Sequence, residues 1–190
     1  DDDDDDNDGD DEDEEAEEEE ELSSTELVTN SFRKFLEEES PDGAAMVEHV
    51  RANQQKLIMP LSACAYIMVQ VLFDENIIKG GQLAKHMQAL EILVASDANK
   101  FMARHLIGAF EEFFCKHHPS IIKVFPLVLK TLYDEDVLEE EVILDWAAAG
   151  VTHQFSPTSV SAPEINALRA SCDTFITWLK EVRRETRLLA

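Results

Sequence analysis

The chain has 190 residues, is 44% hydrophobic and carries a formal net charge of -25, which is enough apolar content to bury the core of one domain of ordinary size. Of its 41 acidic residues, 18 lie in Asp1–Glu21, interrupted only by Asn7, Gly9 and Ala16, so the remainder carries about -7. Charge of this sign repels nucleic-acid phosphates and anionic membranes and attracts basic protein segments over about a Debye length, which disfavours direct nucleic-acid binding.

The acid run has no large side chain to bury and cannot offset its chain entropy, so residues 1–21 are expected to be disordered and residues 22–190 to form the folded domain. Cys64, Cys115 and Cys172 are odd in number, lack a C-x-x-C spacing and fall in helix-like apolar patterns. They read as reduced core thiols of a cytosolic or nuclear protein. No signal-peptide pattern precedes the acid run. The most apolar stretch, Leu61–Phe73, contains Gln70 and is too short to span a bilayer, so a soluble, cytoplasmic protein is expected.

In chain order, Ser23-Ser24-Thr25-Glu26 offers a capping box flanked by Leu22 and Leu27, and predicts a helix to Glu39. Ser40-Pro41 reads as a new N-cap with proline at the first helical position, opening a second helix to about Leu57. Pro60 opens a third, apolar on nearly every side, that is expected to be the central buried helix. After Gly80-Gly81 a fourth helix carries Leu83, Met87, Leu90, Leu93 and Val94, and Asp97 is placed to cap a fifth from Ala98 to about His117. Ile121–Tyr133 reads as a helix broken or kinked at Pro126. Asp136-x-x-Glu139 reads as the cap of a helix ending near Gly150. Val151–Ser161 reads as a long loop, and one final helix is expected from about Ala162. Consecutive amphipathic helices with short connectors and almost no strand-like alternation predict an all-α fold, a HEAT-like stack of antiparallel helix pairs.

No nucleotide-cradling or metalloprotease motif and no nucleophile elbow occurs. Cys115-x-His117-His118 is the nearest approach to a metal cluster, but zinc needs about four ligands and the other pair is missing. No cofactor, metal or catalytic residue is expected. The informative stretch is Leu132–Trp146, where Asp134, Glu135, Asp136, Glu139, Glu140, Glu141 and Asp145 interleave with Leu138, Val142, Ile143 and Trp146. Acids in a first helical turn complement the helix dipole, which accounts for one or two of them and not seven. An acidic binding face and a solvated helix surface both fit this pattern. In the last helix Trp178, Glu181 and Glu185 share a face beside the buried seam of Phe175 and Leu179; Trp178 either widens the core contact or joins a second binding patch.

These residues carry a resemblance. Leu132-Tyr133-Asp134-Glu135-Asp136-Val137-Leu138-Glu139-Glu140-Glu141-Val142-Ile143 followed by Trp146, and later Phe175-Ile176-x-Trp178-Leu179-Lys180-Glu181, resemble the two acidic-aromatic boxes of the W2 domain. The likeness is strongest to the initiation factor 5 branch of that family, and the segments around Pro60–Asn76 and Asn99–Lys130 share it. It implies a HEAT-like, non-catalytic adaptor that binds lysine-rich segments of the initiation factor 2 β subunit and contacts initiation factors 3 and 1 while the preinitiation complex assembles. Tyr133, Asp134, Glu135, Asp136, Glu139, Glu140, Glu141, Asp145, Trp146, Trp178, Glu181 and Glu185 would form the partner-binding surface. The family's GTPase-activating arginine and zinc module belong to an N-terminal domain that nothing here matches, and residues 1–21 would be a linker from such a domain. Where acids usually follow the second box, this chain has Val182-Arg183-Arg184 and Arg187. Within the family the alternative is the ε subunit of initiation factor 2B or a factor 5 mimic protein; outside it, an acidic histone chaperone.

Overall fold

The capping box spelled by Ser23 and Glu26 is formed, with the Glu26 amide donating to Ser23 Oγ at 3.3 Å and the Ser23 amide donating to the Glu26 carboxylate at 2.8 Å. It opens α1, Ser24–Glu39. The structure is a computed structural model that describes residues 22–150 and 154–189, so the expectation of a disordered acidic linker over 1–21 lies outside the described residues.

Ser40 does not cap the second helix. It takes a left-handed φ of 46° that ends α1, and Asp42 caps α2, Gly43–Lys56, through a 2.9 Å bond from the Ala45 amide to Oδ1. The cap therefore falls after Pro41 rather than before it, because the reversal uses Ser40. Gly43 is seated against α4, Gln82–Ala95, so closely that a Cβ there would lie 2.8 Å from the Ala89 amide nitrogen. In the chain between them, α3, Ala63–Leu72, buries Cys64, Ala65, Ile67, Met68 and Val69 on several sides, as its composition predicts. Asp97 takes the amides of Asn99 and Met102 at 3.0 and 2.9 Å, and those bonds hold its carboxyl below the usual range; the helix it serves, α5, is Phe101–Glu112.

The fifth helix runs on through one π-helical turn, Phe113–His117, closed by the His118 amide on the Phe113 carbonyl at 2.8 Å, and then a 3-10 stretch, Pro119–Val124. The expected break in Ile121–Tyr133 falls at Pro126: the 3-10 stretch ends at Val124 and α6, Phe125–Asp134, begins, with Pro126 in its first turn, where the missing amide proton has no intrahelical partner to lose. After α7, Glu140–Ala148, the expected single last helix is two, α8, Ala162–Ser171, and α9, Asp173–Leu189. The break falls at buried Cys172, where the Ser171 hydroxyl turns back on the Leu168 carbonyl at 2.5 Å and Asp173 starts the new helix. Apolar spacing runs unbroken through Leu168, Cys172 and Phe175, so periodicity alone could not reveal it.

Among the described residues there is no strand. Helices pack with their second neighbours: α1 on α3, α3 on α5, α5 on α7 and α7 on α9 form one layer, while α2 on α4 and α6 on α8 form the other. This is the HEAT-like stack. Phe32, Phe110, Phe113, Phe114, Phe125 and Trp146 are the large fully or almost fully buried rings of the core. The three thiols are free and buried, and burial pushes Cys64 and Cys115 up to about 11 and Cys172 to about 12, so they stay protonated at neutral pH.

Candidate partner-binding surface

The acidic stretch spans the end of α6, a short turn and the start of α7. At its centre Asp136 takes a left-handed φ of 57°, a conformation Asp tolerates better than most residues. The amides of Val137 and Leu138 both donate to the Leu132 carbonyl, at 2.9 and 3.0 Å. Their side chains are pinned into the core, which leaves Glu135, Asp136 and Glu139 in solvent. Asp136 is thus a turn residue and not the cap of α7; Glu139 holds the N-cap position without a side-chain bond.

Trp146 requires a correction. It was expected on the binding surface but is 2% exposed, with Nε1 donating to Glu111 Oε1 at 2.7 Å, its ring edge-on to Phe125, and the Arg169 guanidinium 5.4 Å from its centroid. Trp146 faces inward because Val142, Ile143 and Trp146 share the apolar face of α7, opposite Glu141 and Asp145. Glu111 was not singled out from the sequence. Burial raises its carboxyl pKa, against the lowering pull of Trp146 and of Arg169, 4.0 Å away.

Trp178 behaves differently. It is 40% exposed and joins Tyr133 and Phe175 in one aromatic group: Tyr133 meets Trp178 edge-on at 6.0 Å, and Phe175 stacks on Trp178 at 5.9 Å. Residues more than forty positions apart thereby become one surface. The Lys130 ammonium stands 5.6 Å from the Trp178 ring centroid and 2.5 Å from Asp134. Arg183, one of the cations that interrupt the second box, reaches Glu140 on α7 at 3.1 Å and ties the two boxes together.

Four of the predicted acids thus have partners within the domain: Asp134 with Lys130, Glu139 with Lys100 at 2.5 Å, Glu140 with Arg183, and Asp145 with Arg104 at 3.4 Å. The hydrogen bond to Glu139 raises the Lys100 pKa. Glu135, Asp136, Glu141, Glu181 and Glu185 are exposed, with no ion pair among the described side chains. Pairs between exposed side chains contribute little because water screens both charges, so a cation from outside can replace an internal one at small cost. Lys130 and Arg183 belong to this surface and were not chosen from the sequence, while Phe175 is buried beneath Trp178 on the seam the sequence assigned to it. Arg183 was readable only as a departure from the box pattern.

Among the described residues no group of three metal-ligating side chains comes together, and no helix is long and apolar enough to cross a membrane. Cys115 is buried with its thiol turned to the Glu164 carbonyl, and His118 lies against Phe113.

Residues 102–186 match the family described as W2, eIF4-gamma/eIF5/eIF2-epsilon. The chain is 34% identical over 115 residues to eukaryotic translation initiation factor 5 of Mus musculus, covering 60% of this chain and 25% of that protein. To the factor of the same name from Caenorhabditis elegans it is 27% identical over 161 residues, covering 85% of this chain and 35% of that protein. It therefore spans about a quarter to a third of the length of these curated relatives. A solved structure of the C-terminal domain of translation initiation factor 5 at low pH is similar with a TM-score of 0.67, covering 88% of this chain and 96% of that one, at 22% identity. That likeness establishes a common fold.

Proposed function

We propose that this chain, whose residues 102–186 match the W2 family, folds as a non-catalytic adaptor of the initiation factor 5 type that holds lysine-rich segments of the initiation factor 2 β subunit. Contacts with initiation factors 3 and 1, a cytoplasmic setting and a GTPase-activating role of a longer protein belong to the same reading. The observation that carries it is the meeting of the two boxes: Tyr133 on α6 lies edge-on to Trp178 on α9, 6.0 Å away, beside exposed carboxylates on α6, α7 and α9. Lys130 displays the required chemistry within the chain, since one ammonium group contacts a carboxylate and an indole face together. Each such contact is worth about 0.5–1 kcal/mol at an exposed site. Affinity for a flexible cationic segment accordingly comes from several weak contacts and falls with added salt.

The test is binding of a synthetic lysine-block peptide, measured by calorimetry at two salt concentrations, to the chain and to a Glu139→Lys, Glu140→Lys, Glu141→Lys variant. Charge reversal is expected to lower affinity more than tenfold while helical content by circular dichroism is retained. Unchanged affinity would remove the reading.

A further inference from the structure

Lysine recognition leaves one part of this surface unused. Between α6 and α9 runs an open groove of about 470 Å³, lined by Pro126, Leu127, Lys130, Thr174, Phe175 and Trp178 among others. Its walls are almost wholly carbon. Leu127 and Trp178 remain 48% and 40% exposed there, and large apolar side chains left together in solvent mark a contact with something else. Lys130 is the charged member of the lining, and it leans to Asp134 and the Trp178 ring. One turn beyond Lys130 on α6 stands Asp134, and one turn beyond Trp178 on α9 stands Glu181, which is exposed. The apolar walls therefore give way to carboxylates contributed by both helices.

We propose that this groove receives one bulky apolar side chain, of leucine or phenylalanine size, from the same lysine-rich partner segment that the acidic surface binds. Lysines beside it in the partner's sequence reach Asp134 and Glu181. The occupant follows from charge: a second copy of this chain, at a net charge of -25, would bring acid against acid, and an anionic membrane would meet the same rim. A purely apolar segment would leave the rim unused. A cationic segment with one large apolar residue satisfies both walls and rim, and it turns a salt-sensitive attraction into a registered one, because the apolar residue fixes which lysine meets which carboxylate. This rests on the lysine-binding reading above and adds the element of specificity that charge alone does not supply.

The experiment compares two lysine-block peptides of equal length and charge, one with a central leucine and one with serine there, binding by calorimetry to the chain and to a Leu127→Ser variant. Burying a leucine side chain, less the cost of ordering it, should make the leucine peptide bind about three- to twentyfold tighter to the unaltered chain. In Leu127→Ser that advantage should fall below about twofold, with affinity for the serine peptide unchanged, which also reports that the variant is folded. Equal binding of the two peptides to the unaltered chain, or a leucine advantage that survives Leu127→Ser, overturns the groove. Failure of both peptides to bind overturns the lysine reading itself, and is a different result from equal, tight binding.

Discussion

Trp146 and Glu111 meet inside the core, the indole nitrogen donating to the carboxylate at 2.7 Å and so joining α7 to α5. The acidic stretch on α7 is thus supported from below by a buried tryptophan, while the tryptophan of the second box lies open to solvent.

The two tryptophans should respond in opposite ways to truncation. Trp146→Ala is expected to cost about 3–5 kcal/mol of stability in urea denaturation, as removal of a buried aromatic does. Trp178→Ala should cost less than about 1 kcal/mol, since much of the ring is already in water, and should weaken binding of a lysine-block peptide severalfold. Equal losses of stability would place Trp178 in the core.

Glu111 gives a pH dependence of defined sign. Burial raises its pKa in the folded state above the ordinary value of 4.5, so from that value upward the unfolded chain releases this proton before the folded one does. Glu111 therefore contributes no penalty below about pH 4.5, and one that grows as pH rises through its folded pKa. Glu111→Gln keeps an acceptor for Trp146 and removes the titration. Its stability relative to the unaltered chain should improve between pH 4 and pH 7, read as the change in urea midpoint; a constant difference would mean that Arg169 fully compensates the buried charge.

Lys130 holds the seat that an incoming lysine would take, on Asp134 and Trp178. Lys130→Met should raise affinity for a lysine-block peptide about two- to tenfold. Lys180 is exposed on α9, the helix that carries Trp178, and Lys180→Met is the control for net charge. An equal gain from both would show that total charge, and not the seat, sets the affinity.

Gly43 allows α2 to touch α4. With 2.8 Å between a notional Cβ and the Ala89 backbone nitrogen, Gly43→Ala should cost about 1–3 kcal/mol through forced separation of the helices. Gly150→Ala, with nothing among the described residues near its Cβ position, should be close to neutral in the same denaturation experiment.

Helix count and layering were largely legible because apolar residues recur at helical spacing and caps such as Ser23 with Glu26 are local chemistry. Four details were not. The Ser40–Pro41 pair has more than one permitted place at a helix start, and only the tertiary path selects among them. The break at Cys172 is hidden because the apolar seam continues through it. Trp146 and Trp178 stand in similar acidic surroundings in the sequence, yet Trp146 finds Glu111 on α5 to satisfy its indole nitrogen inside the core, a partner the sequence does not reveal. Ion pairs such as Arg183 with Glu140 join helices far apart in the chain, and composition gives no sign of them.

Stacking by second neighbours has a consequence for where this molecule yields. The helix α9 packs chiefly on α7 and α8, and more sparsely than α3 and α5 pack on each other, so the α9 end should open more readily than the α3–α5 centre. A guest lying across α6 and α9 would brace that end, and exchange of the α9 amides with solvent would slow when it binds.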